Sequence, residues 1–152
     1  MMKQLLILHG PNLNLLGQRE PHLYGTITLD ELNTHLISYG KKLGYECLCV
    51  QSNSESECIE HIHQTLNNAT QGAVINAAAL THTSIGLRDA LLACQLPFIE
   101  IHLTHLMHRD DFRRISYLSD ISIGSIMGLG PRGYQYAIDA LHHHLTDEEI
   151  RL

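Results

Sequence analysis

The sequence has little of what nucleic-acid-binding, membrane or flavin-binding proteins use. It has no tryptophan and 2 phenylalanines in 152 residues, which leaves little aromatic surface to sandwich a flavin. Lys and Arg number 10 against 16 Asp and Glu, so the net charge is −6 and no concentrated basic surface for nucleic acid is expected. The apolar run at residues 5–8 is too short for a signal peptide or a membrane span. These absences predict a cytoplasmic protein that binds neither nucleic acid nor membranes.

The 4 cysteines form no CxxC pair, which is the usual spacing of a redox or zinc motif. Cys47 and Cys49 alternate within an apolar stretch, a pattern typical of reduced thiols in a buried strand. This distribution fits the cytoplasmic location predicted above.

What the sequence does contain is enough apolar residues, 44%, to form the core of one domain. No repeat, linker or low-complexity segment interrupts it, so residues 1–152 are predicted to form a single domain. Short apolar runs alternate with helical patterns: strands at 3–9, 45–51, 72–76, 97–102 and 121–126, and helices at 28–43, 54–68, 81–94 and 134–145. This alternation predicts an α/β fold: a flavodoxin-like domain with a five-stranded parallel sheet in the order 2-1-3-4-5 and helices on both faces.

Ligands of such sheets bind beyond the carboxyl ends of the strands, so functional side chains are expected in the segments that follow the strands. The segment after the first strand is far longer than the usual ~2–6 residues and carries Asn12, Arg19 and Tyr24. Loops of this length are often lids, and here the lid would span about residues 18–25. The alternative is a surface loop in which Asn and Gly make turns and Arg19 pairs with Glu20.

The segments after the third and fourth strands carry further polar side chains. Asn76 is followed by a cluster at residues 81–84, Thr-His-Thr-Ser, which either caps the next helix or holds an anion or hydroxyl-rich ligand. Glu100 and His102 alternate along the fourth strand, so they lie on one face, where the carboxylate can orient the imidazole. A buried structural Glu–His pair is the alternative. Arg113 follows in a short helical stretch.

Four other interpretations have less support from the sequence. The first loop lacks a Ser/Thr-rich phosphate cradle for FMN, and it lacks the acidic residues that a phosphoacceptor receiver domain has after its first strand. The glycine-rich segment at residues 128–133 lacks a Walker lysine and is interpreted as a turn. A metal site is another alternative, suggested by the histidines at 102, 105 and 108 and by the run at 142–144. Consecutive helical histidines point in different directions, however, and no nearby cysteine or carboxylate completes a set, so no metal is predicted.

Several motifs together resemble the type II 3-dehydroquinate dehydratases, from residue 6 to about residue 140. They are GPNLNLLGQREPHLYG, NAAALTHTSIGLRDAL, EIHLTH followed by FRRISYLS, and GLGPRGY, in the family's order and spacing. The resemblance implies anti elimination of water from 3-dehydroquinate through an enolate, giving 3-dehydroshikimate without a cofactor or Schiff base. Lys3, Lys41 and Lys42 are the chain's lysines, and none lies in a predicted site segment where it could form an imine.

The resemblance also implies a role for each motif residue. Tyr24 would be the general base, with Arg19 as its electrostatic partner, and Asn12 would position a water that stabilises the enolate oxygen. His102, oriented by Glu100, would be the general acid. The implied substrate-binding residues are Asn76, His82, Asp89, Leu103, Thr104 and Arg113.

The family's architecture further implies a homo-dodecamer of four trimers, in which Asp89 reaches into the site of a neighbouring subunit. Three positions depart from the family's pattern: Thr104 stands where serine is common, His105 where asparagine is common, and Leu80 where tyrosine is frequent. Threonine keeps the hydroxyl group, and His105 replaces no catalytic role.

Overall fold

A parallel five-stranded sheet forms the centre of the molecule, seen in a computed structural model that describes residues 2–146 except the side chain of Tyr24. Its strands are β1 (Lys3–His9), β2 (Tyr45–Gln51), β3 (Thr70–Asn76), β4 (Phe98–His102) and β5 (Gly124–Met127). They lie in the order β2-β1-β3-β4-β5, and every neighbouring pair is parallel. The predicted α/β topology is confirmed, and it places the carboxyl ends of all strands at one edge.

Helices cover both faces of the sheet, as predicted. They are α2 (Leu29–Lys42), α3 (Glu55–Gln64), α4 (Ile85–Cys94) and α5 (Arg132–Thr146), whereas α1 (Pro21–Tyr24) is a short helix in the first loop. One core cluster contains Leu5 and Ile7 of β1 with residues of α2 and α5, and the other contains Leu6 and Leu8 with residues of α3 and α4. β1 therefore buries side chains on both faces of the sheet, which explains its continuous apolar sequence. No helix within residues 2–146 is long and apolar enough to cross a membrane.

Several predicted boundaries are wrong, and two of the errors concern the segments beside the strand ends. The helix predicted from residue 81 begins at Ile85, because Ala78–His82 forms a 3-10 helix and the Ser84 hydroxyl caps α4 by accepting from Leu87 N–H at 2.9 Å. The fifth strand, predicted at residues 121–126, is Gly124–Met127, because a 3-10 turn at Ser119–Ile121 precedes it. The helix predicted at residues 54–68 is α3, and it ends early, at residue 64.

The ends of β1 and β3 approach each other closely at Gly10. Its N–H donates to the carbonyl of Asn76 at 2.7 Å. A Cβ atom at this position would lie 2.4 Å from the carbonyl oxygen of Ala77, closer than any real Cβ contact. Glycine is therefore required where the long first loop leaves the sheet, and this contact fixes the loop against the segment after β3.

We expect Gly10→Ala to lower the free energy of unfolding by about 2 kcal/mol or more, because the backbone of Ala77 must move to admit the methyl group. Gly124→Ala is the matched control, since a Cβ there meets nothing within 4 Å among the described residues. The control should stay within about 1 kcal/mol of the parent chain. Urea denaturation measures both values, and equal losses in the two variants would contradict this account.

Candidate active site

A cavity of about 150 Å³ at the carboxyl ends of β1, β3 and β4 brings most of the predicted site residues together. Those that line it are Asn12, Arg19, Asn76, His82, His102, Leu103, Thr104 and Arg113. The cavity therefore lies where the parallel sheet was expected to bind its ligand. The long first loop, the 3-10 helix after β3 and the segment after β4 each contribute part of the lining.

His102 is the last residue of β4, and Glu100 lies two residues before it on the same face, as predicted. The Nε2 atom of His102 is 2.7 Å from Oε2 of Glu100. Glu100 is fully buried, whereas His102 is 4% exposed and reaches the cavity. The carboxylate thus holds one ring nitrogen of an imidazole that borders the cavity.

Four hydroxyl groups complete the surroundings of the Glu100 carboxylate. Thr81 and Ser116 donate to Oε2 at 2.9 and 2.7 Å, and Ser125 donates to Oε1 at 3.1 Å, where Ser119 also donates. Burial raises the pKa of Glu100, but the hydrogen bonds and the neighbouring imidazole outweigh burial and lower that pKa to about 2. The carboxylate is therefore charged at neutral pH.

Three arginines give the cavity a cationic wall. Arg19, Arg109 and Arg113 all line it, and Arg109 was not among the residues predicted from the sequence. Arg113 lies 3.7 Å from the carboxylate of Asp110, and its buried Nε has no hydrogen-bond partner among the described residues. Guanidinium groups bind carboxylates and phosphates through paired N–H donors, so the wall fits an anionic ligand.

The beginning of the first loop is anchored to the core and to the segment after β2. Leu13 and Leu16 are buried in the core, and the backbone N–H of Asn12 donates to Asn53 Oδ1 at 2.9 Å. Arg19 lies 3.7 Å from Glu20, the pairing expected of a surface loop, yet it also lines the cavity. The side chain of Tyr24 lies outside the described residues.

The residues of the polar cluster at 81–84, after β3, have different structural roles. Ser84 caps α4, so the capping interpretation is right for this hydroxyl, while Thr81 instead donates to Glu100. His82 lines the cavity, and its Nδ1 donates to the carbonyl of Ile115 at 2.7 Å. Burial lowers the pKa of His82, against the opposing effect of this hydrogen bond. The imidazole is thereby held at the rim of the cavity.

Asp89 does not line the cavity of this chain. It is exposed on α4, beside Arg88, whose side chain is hydrogen-bonded to Asp120. Among the positions that depart from the family's pattern, Thr104 lines the cavity, whereas His105 accepts a hydrogen bond from Met107 N–H at 3.3 Å. His105 therefore has a local structural role, as the cap of a short 3-10 turn.

Two histidines after β4 pack against each other. The rings of His105 and His108 stack with their centroids 4.1 Å apart. In the part of the chain that the structure describes, no group of three or more His, Cys, Asp or Glu side chains could hold a metal ion.

A second buried polar group, not singled out in the sequence, lies behind Asn76. His9 is fully buried at the end of β1, with Nδ1 2.8 Å from the hydroxyl of Tyr134 and Nε2 2.8 Å from Oδ1 of Asn33. Asn76 donates to the same tyrosine oxygen at 3.0 Å. Burial lowers the pKa of His9 to about 4, so this imidazole is neutral at pH 7. A polar residue ending an apolar strand was the sequence signal for this group.

The fold, the cavity and the motifs agree with the comparison to known proteins. The pattern of the family described as Dehydroquinase class II matches residues 3–142. The chain belongs to the class II dehydroquinase family. The 3-dehydroquinate dehydratase of Haemophilus ducreyi is 54% identical over 138 residues, which are 91% of this chain and 95% of that relative.

Two solved structures are similar along almost their full length. The type II dehydroquinase from Butyrivibrio crossotus has a TM-score of 0.89 at 39% identity, covering 92% of this chain and 97% of that one. The type II dehydroquinase from Propionibacterium acnes has a TM-score of 0.88 at 43% identity, covering 93% of this chain and 97% of that one. The resemblance stated from the motifs is confirmed.

We expect the free energy of unfolding to fall as the pH is lowered from about 6.5 to 4. In this window the unfolded chain binds a proton at His9 that the folded chain does not bind, so acid favours unfolding. A pKa lowered from 6.5 to about 4 corresponds to roughly 3 kcal/mol. Glu100, whose pKa is lowered from 4.5 to about 2, adds a further loss of stability that begins near pH 4.5 and continues to about pH 2.

Urea denaturation at a series of pH values measures this dependence. The control is His9→Gln, because glutamine offers one acceptor and one donor but stays neutral throughout the window. Its curve should lack the component that His9 contributes. The same slope in both proteins would assign the pH dependence to other groups.

Proposed function

We propose that this chain dehydrates 3-dehydroquinate to 3-dehydroshikimate by anti elimination through an enolate, without a Schiff base or cofactor. The observation that carries the proposal is the imidazole of His102, which borders the cavity while a buried, charged carboxylate holds its other side. Membership of the class II dehydroquinase family supports the same reaction.

His102 serves as the general acid. Elimination of water needs a proton donor for the departing hydroxyl, because hydroxide is a poor leaving group. Since Glu100 accepts at Nε2, a protonated imidazole carries its other hydrogen on Nδ1, the nitrogen that Glu100 does not hold. The carboxylate also fixes the orientation of the ring, so that the proton on Nδ1 is the one available to the leaving hydroxyl.

Tyr24 serves as the general base that removes the proton next to the ketone, a role that rests on its place in the motif. A tyrosine in water titrates near pH ~10, so a base that acts at neutral pH needs a cation beside its phenolate. Arg19 is on the same loop and lines the cavity. Asn12, also in the lining, positions a water that stabilises the enolate oxygen.

The remaining lining residues bind the substrate. 3-Dehydroquinate carries a carboxylate, which the cationic wall of Arg109 and Arg113 suits, and hydroxyl groups that suit Asn76, His82 and Thr104. Leu103 borders the same space. Lysine chemistry finds no support in the geometry, because none of the three lysines contributes to this lining.

A homo-dodecamer of four trimers completes the proposal, with Asp89 of one subunit binding substrate in the site of its neighbour. The exposed position of Asp89 on α4, outside the cavity of its own chain, supports this arrangement. A single domain over residues 1–152, a lid at about residues 18–25 and a cytoplasmic location stay predictions.

With 3-dehydroquinate added, the parent chain should develop the absorbance of the conjugated enone product. His102→Ala should lower kcat by ~100-fold or more, because the leaving hydroxyl loses its proton donor. His108→Ala is the matched control, since this histidine lies on the same segment after β4 and stacks on His105 but does not line the cavity. Circular dichroism checks that each variant folds. No enone signal from the parent chain at high enzyme concentration would refute the proposed reaction.

Mixing two inactive variants tests whether Asp89 acts in a neighbouring subunit. Asp89→Ala and Tyr24→Phe should each be nearly inactive alone. After joint dissociation and reassembly, some sites would combine an intact Tyr24 with an intact Asp89 from the next chain, and activity should return. Reassembly of each variant with itself is the control. Absence of recovery, with mixed oligomers verified by mass spectrometry, would indicate a site made within one chain.

A further inference from the structure

A buried chain of hydrogen bonds runs from the cavity lining into the core on one side of the sheet. It starts at Asn76 of β3, whose Nδ2 lies 3.0 Å from the hydroxyl oxygen of Tyr134 on α5. That oxygen lies 2.8 Å from Nδ1 of His9, and Nε2 of His9 lies 2.8 Å from Oδ1 of Asn33 on α2. Tyr134 and His9 are fully buried, and Asn76 is 3% exposed.

The donors and acceptors of this series of hydrogen bonds are compatible with one direction of donation. Oδ1 of Asn76 accepts from the backbone N–H of Ala78 at 3.1 Å, so its Nδ2 faces Tyr134 and donates to it. Tyr134 then has one hydrogen to donate, and Nδ1 of His9 is its acceptor. The hydrogen of a neutral His9 therefore sits on Nε2 and is donated to Asn33.

We propose that Tyr134 and His9 are positioning residues for substrate binding, which hold the Asn76 amide with one Nδ2 hydrogen engaged and the other directed to the ligand. The inference rests on the proposed function, in which Asn76 binds the substrate. Neither residue lines the cavity, so both act through Asn76. Carbonyl and hydroxyl oxygens of 3-dehydroquinate are suitable acceptors for the second hydrogen.

Loss of the tyrosine hydroxyl removes the acceptor of Asn76 and the donor of His9 at the same time. The amide keeps its bond to Ala78 but can turn about it, so the second Nδ2 hydrogen is no longer aimed. We expect KM for Tyr134→Phe to rise about three- to tenfold, the loss of one hydrogen bond to substrate. kcat should change less than about twofold, because this contact is made equally before and during the reaction.

Tyr45→Phe is a matched control for Tyr134→Phe. The Tyr45 hydroxyl lies 2.9 Å from Nδ1 of His142, so this variant also removes a hydroxyl from a tyrosine–histidine pair between the sheet and α5. Tyr45 begins β2, at the edge of the sheet opposite the cavity. Both variants should lose thermal stability, but only Tyr134→Phe should raise KM. Equal KM values in the two variants, with both folded, would overturn the inference.

Substitutions at His9 test the direction of the hydrogen bonds. They also test the inference if Tyr134→Phe does not fold. His9→Gln can still accept from Tyr134 and donate to Asn33, so KM should stay within about twofold of the parent value. His9→Leu has neither group and should raise KM as Tyr134→Phe does. A KM unchanged in His9→Leu, or raised equally by both substitutions at His9, would contradict the role of the hydrogen-bond direction.

Asn76→Ala separates this inference from the proposed function. It should raise KM at least as much as Tyr134→Phe, and adding Tyr134→Phe to it should have no further effect on KM, because the two residues act as one unit. Additive effects of the two substitutions would overturn the inference while the dehydratase activity of the parent chain stands. A parent chain that forms no enone refutes the proposed function, and the inference falls with it.

Discussion

The charge of the Glu100 carboxylate, fully removed from solvent, is the constraint on which the site depends. An unpaired charge at this depth would cost far more than a domain of this size can lose, so every acceptor site needs a donor. The donors come from separate parts of the chain: His102 on β4, Thr81 in the 3-10 helix after β3, Ser116 and Ser119 between β4 and β5, and Ser125 on β5. Satisfying one carboxylate thus folds the segments after two strands around the end of β4.

The cavity is supported from behind by two separate hydrogen-bonded groups. Glu100 and its hydroxyl donors hold His102, and the chain of Tyr134 and His9 holds Asn76. Because Glu100, Tyr134 and His9 are fully buried, water competes little for their bonds to His102 and Asn76, and these two side chains have little freedom to turn. The front of the cavity is different, since its arginines are flexible side chains on loops and turns. A rigid back and an adaptable cationic front suit a small anionic substrate.

Local pattern accounts for the features that were predicted well. The alternation of side chains along a strand placed Glu100 and His102 on one face without any knowledge of the sheet. The unusual length of the first loop marked Asn12 and Arg19, because compact domains rarely keep long connections without a function. No such pattern marks Arg109, which is one of several charged residues in an irregular segment. The path of that segment brings its side chain to the cavity.

Sequence by itself determined the strand order and the edge of the sheet that carries the site, because apolar periodicity and the rules for parallel connections act over short distances along the chain. The tertiary structure alone decided how the segments beside the strand ends fold. The strand predicted from residue 121 begins only at Gly124, because a 3-10 turn precedes it, and Ser119 in that turn donates to Glu100. Thr81 likewise donates to Glu100 in place of starting a helix. It also decided that His9 is buried and neutral. These outcomes depend on partners distant in the sequence, which local propensity cannot encode.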